Sequence, residues 1–275
     1  MLLEERIPTQ GIMELRLLGW FSLTVGGVSV ELAGREQRLA ALVALMGTRP
    51  RTHLAGTLWP DTTEERALSS LRASVLRLRR LAPGLAEASR WTVGLGRGVR
   101  VDAHRLLASV TRADAGALDD PDVVSLILDG GEVLPGWNDD WLIYERERLH
   151  QLRIRALDRI ARQALERGDL AVALDASREA LVAEPLLESA VSVAVQAHLL
   201  DGNRSAAVQT FQHYRHRLAQ DLRMAPSSEL VDLVEPLSPV AGSDRRREPP
   251  GGQDAVRARV PRQRPRTGPG APRPI

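Results

Sequence analysis

The sequence predicts a mainly α protein with a small β component: a winged helix-turn-helix followed by an all-α, TPR-like helical repeat domain. Three observations carry this. Two short extended runs flank Gly26-Gly27 and precede three stretches of helical periodicity. The third of those stretches, within residues 59–80, has two unlike faces. Beyond residue 140 the apolar period is helical throughout, and Leu165-x-x-Gly168-x-x-x-x-Ala173 recurs 34 residues later as Leu199-x-x-Gly202-x-x-x-x-Ala207.

Composition narrows the class. At 275 residues there is room for about two domains. Aromatic residues make up only 3%, so cores must be built from Leu, Val and Ala, which favours helices. The absence of cysteine excludes a disulfide framework, a thiolate metal site and a cysteine nucleophile. No apolar run has the length of a signal peptide or a membrane span, so a cytoplasmic protein is expected. All 37 basic residues are arginine, as codon bias in a GC-rich genome would produce; arginine is also the better bidentate partner for phosphate and guanine.

The net charge of +2 conceals segregation. Residues 13–105 carry 14 arginines against eight acids, whereas residues 106–237 carry 13 against 22. Residues 238–275 carry nine arginines against three acids, and eight of the 17 prolines. The expected boundaries follow: an extension at 1–12 with Met13 as an alternative start, a DNA-binding domain at 13–105, a helical domain at 106–237, and a disordered tail at 238–275.

In chain order, Leu15, Leu17 and residues 20–25 read as strand, Gly26-Gly27 as a turn, and residues 28–32 as the return strand. Leu39, Leu42, Val43 and Met46 give a helix over 35–46, closed by Gly47. A short helix over 52–59 follows, capped by Thr52, and Pro60 to Thr63 break it. The next helix puts Leu68, Leu71, Val75, Leu78 and Ala82 on one side at ~100° per residue. Arg66, Ser69, Ser70, Ala73, Arg77 and Arg80 fall on the other. Arginines separated by small residues suit a helix entering a DNA major groove, because the backbone can approach closely while guanidinium groups meet phosphates and guanine edges. Arg72 lies towards the apolar side, where it reaches a flanking phosphate or braces the fold.

Two β-favouring triplets, 91–93 and 99–101, surround Gly94-Leu-Gly-Arg-Gly98 and predict a second hairpin. As the wing, it would carry Arg97 at its tip and Arg100 just beyond. The glycines do not open a helix in a Gly-x-Gly-x-x-Gly pattern, so a dinucleotide site is not expected. After an Asp-rich linker, helices are expected over 141–167, 170–183, 186–200 and 205–222, with Asp139-Asp140 capping the first and Pro226-Ser-Ser-Glu-Leu230 closing the stack. His213 and His216 share a helix face but lack further ligands, and no nucleophile, zincin or kinase motif is present; no enzyme activity, metal or cofactor is expected.

Several segments resemble a known family. Gly34-Arg-Glu-Gln-Arg-Leu-Ala-Ala-Leu-Val-Ala-Leu-Met46, Leu58-Trp-Pro-Asp61, Arg66-Ala-Leu-x-x-Leu-Arg72 and Arg77-Leu-Arg-Arg80 resemble the DNA-binding domain of the Streptomyces antibiotic regulatory proteins. Leu134-Pro-Gly-Trp137, Trp141, Glu145-Arg-Glu-Arg-Leu149 and Asp221-Leu-Arg-Met-Ala-Pro226 resemble the bacterial transcriptional activator domain that follows it. The likeness spans 13–237 through the order and spacing of its motifs; at the first helix only Arg35 and Arg38 stand for a richer basic segment. It implies a small member without the ATPase and sensor repeats of larger relatives. It further implies a transcriptional activator, often of a secondary-metabolite (antibiotic) gene cluster, that binds direct repeats at promoters as a homodimer or DNA-induced dimer and recruits RNA polymerase holoenzyme. The second reading is a helical-repeat interaction module whose winged helix no longer binds DNA; the arginines of the third helix favour the first.

Overall fold

The computed structural model describes residues 11–116 and 120–235. The expected tail at 238–275 and nearly all of the extension at 1–12 lie outside the described residues. The chain opens with β1 (Met13–Arg16), β2 (Ser22–Val25) and β3 (Val28–Ser29), joined as an antiparallel meander. Gly26 and Gly27 both have positive φ (58° and 83°), the backbone that a two-residue hairpin turn demands and that glycine supplies without steric cost. Helix α1 (Gly34–Met46) follows and is buried almost all round; Leu39, Ala40, Ala41 and Leu42 are fully enclosed. Then come β4 (Arg49–Pro50), α2 (Arg51–Leu58) and α3 (Glu64–Leu81). Neither Thr52 nor Thr63 caps with its side chain: α2 begins after Pro50, and Thr63 holds the N-cap position of α3 by backbone alone.

The expected wing is corrected. β5 (Ala86–Ala88) and β6 (Thr92–Leu95) form the hairpin, with β4 on the other edge of β6. β7 (Val99–Val101) leaves that sheet and lies parallel to β1, giving a four-stranded order β3-β2-β1-β7. The glycines of 94–98 therefore do not mark a hairpin tip. A Cβ on Gly94 would lie 2.1 Å from Thr48 Oγ1, and one on Gly96 would lie 1.8 Å from Gly84 O. They are glycines because neighbouring chain crosses the strand closely.

The Asp-rich stretch read as a linker is also corrected. It holds α4 (Asp102–Asp114) and α5 (Pro121–Leu128), the latter capped by Asp120, whose carboxylate accepts from Asp122 N. The remaining helices are α6 (Asp140–Arg167), α7 (Leu170–Ala183), α8 (Glu188–Leu200), α9 (Arg204–Leu222) and α10 (Ser228–Val234). The 34-residue repeat is structural. Gly168 and Gly202 take matching left-handed turns (φ 77° and 75°). One residue on, Asp169 and Asn203 cap α7 and α9 by accepting from Val172 N and Ala206 N. Ala173 and Ala207 then sit fully buried, small enough to let each helix pair close. Helix α8 shows two faces to two cores: Ala190, Val193 and Ala197 pack towards α6 and α7, and Val191 and Val195 towards α9 and α10. That sharing of one helix between successive layers is how a repeat stack buries a continuous core. Among the described residues, no helix is long and apolar enough to cross a membrane.

The described residues belong to one compact unit. Val133, Leu134, Leu142 and Leu149 complete the first hydrophobic core, which is otherwise built from residues 13–103. Polar contacts reinforce the join. The Asp102 carboxylate accepts from Leu17 N (2.8 Å) and Leu18 N (2.9 Å), fixing the end of β1 to the start of α4. Asp139, placed at the N-cap of α6, spends its side chain elsewhere: Oδ1 accepts from Arg38 Nε on α1 (2.6 Å) and from Trp141 Nε1 (3.2 Å). Trp137 stacks on Phe21 with ring centroids 6.0 Å apart. Arg146 reaches back to the carbonyls of Val133, Leu134 and Trp137.

Candidate nucleic-acid interface

The site is built on α3. Its inner face packs Ala67, Leu71, Ser74, Val75 and Leu78 against the first core. This leaves Arg66, Ser69, Ala73, Arg77 and Arg80 exposed, as the two-faced pattern requires; Arg72, expected towards the apolar side, is exposed as well. Ser70 is only half-exposed and leans towards the packed side. Two residues join the outer surface that sequence reasoning left out. Glu65 lies exposed in the first turn, so the face is not free of acids; Leu76 is 64% exposed among the arginines. Sequence reasoning assigns Leu76 to neither face, although its position one turn beyond Ala73 is enough to place it outside.

The electrostatics of α3 differ from those of the helices behind it. Among the described residues, the guanidinium groups of Arg66, Arg72, Arg77 and Arg80 make no hydrogen bond and no ion pair. In the helical stack, Arg112, Arg146, Arg148, Arg153, Arg159, Arg162, Arg178 and Arg217 each meet a carboxylate, although among the described residues Arg155, Arg204, Arg215 and Arg223 do not. Four unpaired cations along one helix face, with acids only in its first turn, create a strip of positive potential, the kind of electrostatic footprint that suits a polyanion. Arg79, on the same helix, is engaged within the protein. Its Nη2 donates to Ala88 O at 2.8 Å and ties α3 to the wing.

The wing tip is Ser89-Arg90-Trp91. Ser89 Oγ accepts from Trp91 N (3.1 Å) and Thr92 N (3.0 Å), a hydroxyl-closed turn. Arg51 braces it from α2, its backbone N donating to Trp91 O (2.9 Å) and its Nε to Ser89 O (3.0 Å). Trp91 is 70% exposed, with the Arg90 guanidinium 4.7 Å from its ring centre. Arg97 sits instead in the turn from β6 to β7, where its backbone N donates to Glu87 Oε1 at 3.3 Å. Arg100 lies on β7, 4.0 Å from the Glu14 carboxylate, with both side chains exposed. Neither is at the wing tip. Arg90 and Trp91 escaped sequence reasoning because their turn contains no glycine and is closed by a serine side chain.

This architecture, a winged helix locked onto a stack of helical repeats, defines a class of two-module proteins in which one module presents a charged helix and the other a helical scaffold. Comparison with known proteins gives the family. The bacterial transcriptional activator domain matches residues 101–237. The regulatory protein AfsR of Streptomyces coelicolor is 30% identical over 217 residues, and that of Streptomyces griseus 26% over 219. Each alignment covers 74% of this chain and 22% of the relative's length, so the chain spans under a quarter of the curated relatives it matches. The solved structure of Mycobacterium tuberculosis EmbR in complex with a low-affinity phosphopeptide shares the fold. Its TM-score is 0.63 at 20% identity, over 82% of this chain and 65% of that one. Residues 101–237 thus match the bacterial transcriptional activator domain, and the chain is similar in sequence to the AfsR regulatory proteins and in fold to EmbR.

Proposed function

We propose that the chain is a sequence-specific, DNA-binding transcriptional activator that engages double-stranded DNA through α3 and the β5–β6 wing. The observation that carries this is the exposed row of Arg66, Arg72, Arg77 and Arg80, none of which is neutralised within the protein. Between them lie the small side chains of Ser69 and Ala73, with Leu76 as the one large exception, so the helix axis can come close to base edges. Arg90, on a braced tip, takes over the wing role that the sequence assigned to Arg97; Arg97 and Arg100 would contribute only at longer range. The helical stack, acidic overall and paired internally, is unsuited to lie on DNA and is free to meet protein. Its proposed partners are RNA polymerase holoenzyme and a second copy of the chain bound to an adjacent direct repeat. Two linked modules raise the effective concentration of the second. Regulation of an antibiotic gene cluster and a cytoplasmic, nucleoid-associated location follow from the same reading.

The test is a genome-wide occupancy map of the full chain in its host, beside the Arg77→Ala/Arg80→Ala variant. Discrete sites near promoters, each holding two like-oriented repeats and emptied in the variant, are the expected result. Occupancy without discrete sites, or sites that survive the variant unchanged, would overturn the assignment and favour a protein-interaction module.

A further inference from the structure

Leu76 stands out on the outer face of α3. It is the one large apolar side chain exposed on that helix, at 64%. Its neighbours give the position meaning. Ser69, Ala73, Leu76 and Arg80 follow one another at four-, three- and four-residue steps, which on a helix makes a nearly straight line about 16 Å long. To one side of that line lie Arg66 and Arg77; to the other lie Arg72 and, in the first turn, Glu65. The cations therefore flank a central strip that is uncharged for three of its four positions. In a major groove, flanking arginines meet the phosphates on either wall, and the central strip faces the base edges. The apolar group that the major groove offers there is the C5-methyl of thymine.

We infer that Leu76 is a specificity-determining residue that reads a thymine through its C5-methyl group. This rests on the proposed DNA-binding role of α3 and deepens it. Ser69 and Ala73 are too short to reach as far, and Arg80 supplies hydrogen-bond donors instead. Burying one methyl group against a leucine side chain corresponds to about a three- to fivefold gain in affinity. Replacing Leu76 leaves the packed face of α3 untouched, so the variant keeps the fold.

The experiment starts from a duplex that the full chain enriches from a random-sequence library. Each thymine is replaced in turn by deoxyuridine, which removes only the C5-methyl. The wild-type chain is expected to lose about three- to fivefold in affinity at one thymine in each repeat. Leu76→Ala is expected to bind the unmodified duplex weaker by the same factor and to lose nothing further at that thymine. Deoxyuridine substitutions that cost wild type and variant alike, or cost neither anything, overturn the inference while leaving DNA binding in place. A library that yields no enriched duplex overturns both readings. A variant that binds every duplex normally but loses a protein partner shows that Leu76 is a protein contact, and also overturns it.

Discussion

Arg146 fixes the segment 132–137, whose Val133 and Leu134 complete the first core, and its removal has a calculable cost. Its side chain is 24% exposed. Nε donates to Val133 O at 2.9 Å and Nη2 to Leu134 O at 2.7 Å, with a longer bond from Nη2 to Trp137 O at 3.2 Å. Val133 and Leu134 are buried, and Leu134 is held at a positive φ of 46°, a conformation that non-glycine residues seldom adopt. Arg146→Met keeps the stem and removes the donors. Two short charge-assisted bonds at about 1.5 kcal/mol each give a loss of about 3 kcal/mol. The ion pair to Glu132 adds little, because that carboxylate is 53% exposed. For a domain of this size the loss lowers the melting temperature by roughly 6–12 °C. Urea unfolding followed by circular dichroism measures it. Arg146→Lys is expected to recover less than half, since an ammonium group lacks the planar fork that spans several carbonyls. Arg162→Met, which removes an i,i+4 pair with Asp158 at a site 57% exposed, is the control and should cost less than about 0.5 kcal/mol. A loss in Arg146→Met no larger than in that control would refute the view that this side chain latches the first core.

The other predictions concern the boundary, the wing and the last helix. A fragment of residues 13–105 lacks Val133, Leu134, Leu142 and Leu149 and should unfold at markedly lower urea than the full chain; equal midpoints would show that the first core closes without them. Arg90→Ala should weaken DNA binding two- to fivefold or more while Arg97→Ala leaves it nearly unchanged, an order that filter-binding titrations at fixed salt can reverse or confirm; a lost phosphate contact sets that scale at about 0.5–1 kcal/mol. Tyr214 donates to Glu188 Oε2 at 2.9 Å, and Glu188 also accepts from Ser227 N, where α10 begins. The Tyr214 hydroxyl is pushed well above its ordinary value, first by burial, then by its hydrogen bond to Glu188 and the charge of that carboxylate. Its stabilising contribution is therefore complete below the ordinary value of 10.0 and declines as the pH rises past it. Tyr214→Phe should remove that alkaline decline and cost about 1 kcal/mol at neutral pH; an unchanged pH profile of unfolding would count against it.

Much of this was legible in the sequence where the signal is local. The Gly26-Gly27 hairpin follows from backbone freedom, the two faces of α3 from a strict helical period, and the α6–α9 repeat from leucine, glycine and alanine at fixed offsets. What was illegible is mostly non-local. β7 pairs with β1 across more than 80 residues of chain, and nothing within 99–101 distinguishes that partner from a hairpin return. Gly94 and Gly96 answer to Thr48 and Gly84, so their meaning lies in segments distant from them. Helix α4 is a different failure. Ala103, Leu106, Val110 and Ala113 carry a helical period, but the aspartates around them drew the reading towards a linker. On α3, Arg66, Ser69, Ala73, Arg77 and Arg80 could be placed from spacing, whereas the same reasoning sets Arg72 too near the apolar side, and the wing cation could not be found, because its turn is made by the Ser89 hydroxyl.

The central claim is that the free arginines of α3 meet DNA phosphates, and the salt dependence of binding tests it most directly. The affinity of the full chain for its enriched duplex is measured across potassium chloride concentrations, beside Arg72→Ala, Arg77→Ala and the double variant. Each lost phosphate contact should make the slope of log affinity against log salt shallower by about 0.9, and the double variant by about 1.8, with melting temperatures unchanged. A folded double variant with the wild-type slope and affinity would contradict the account.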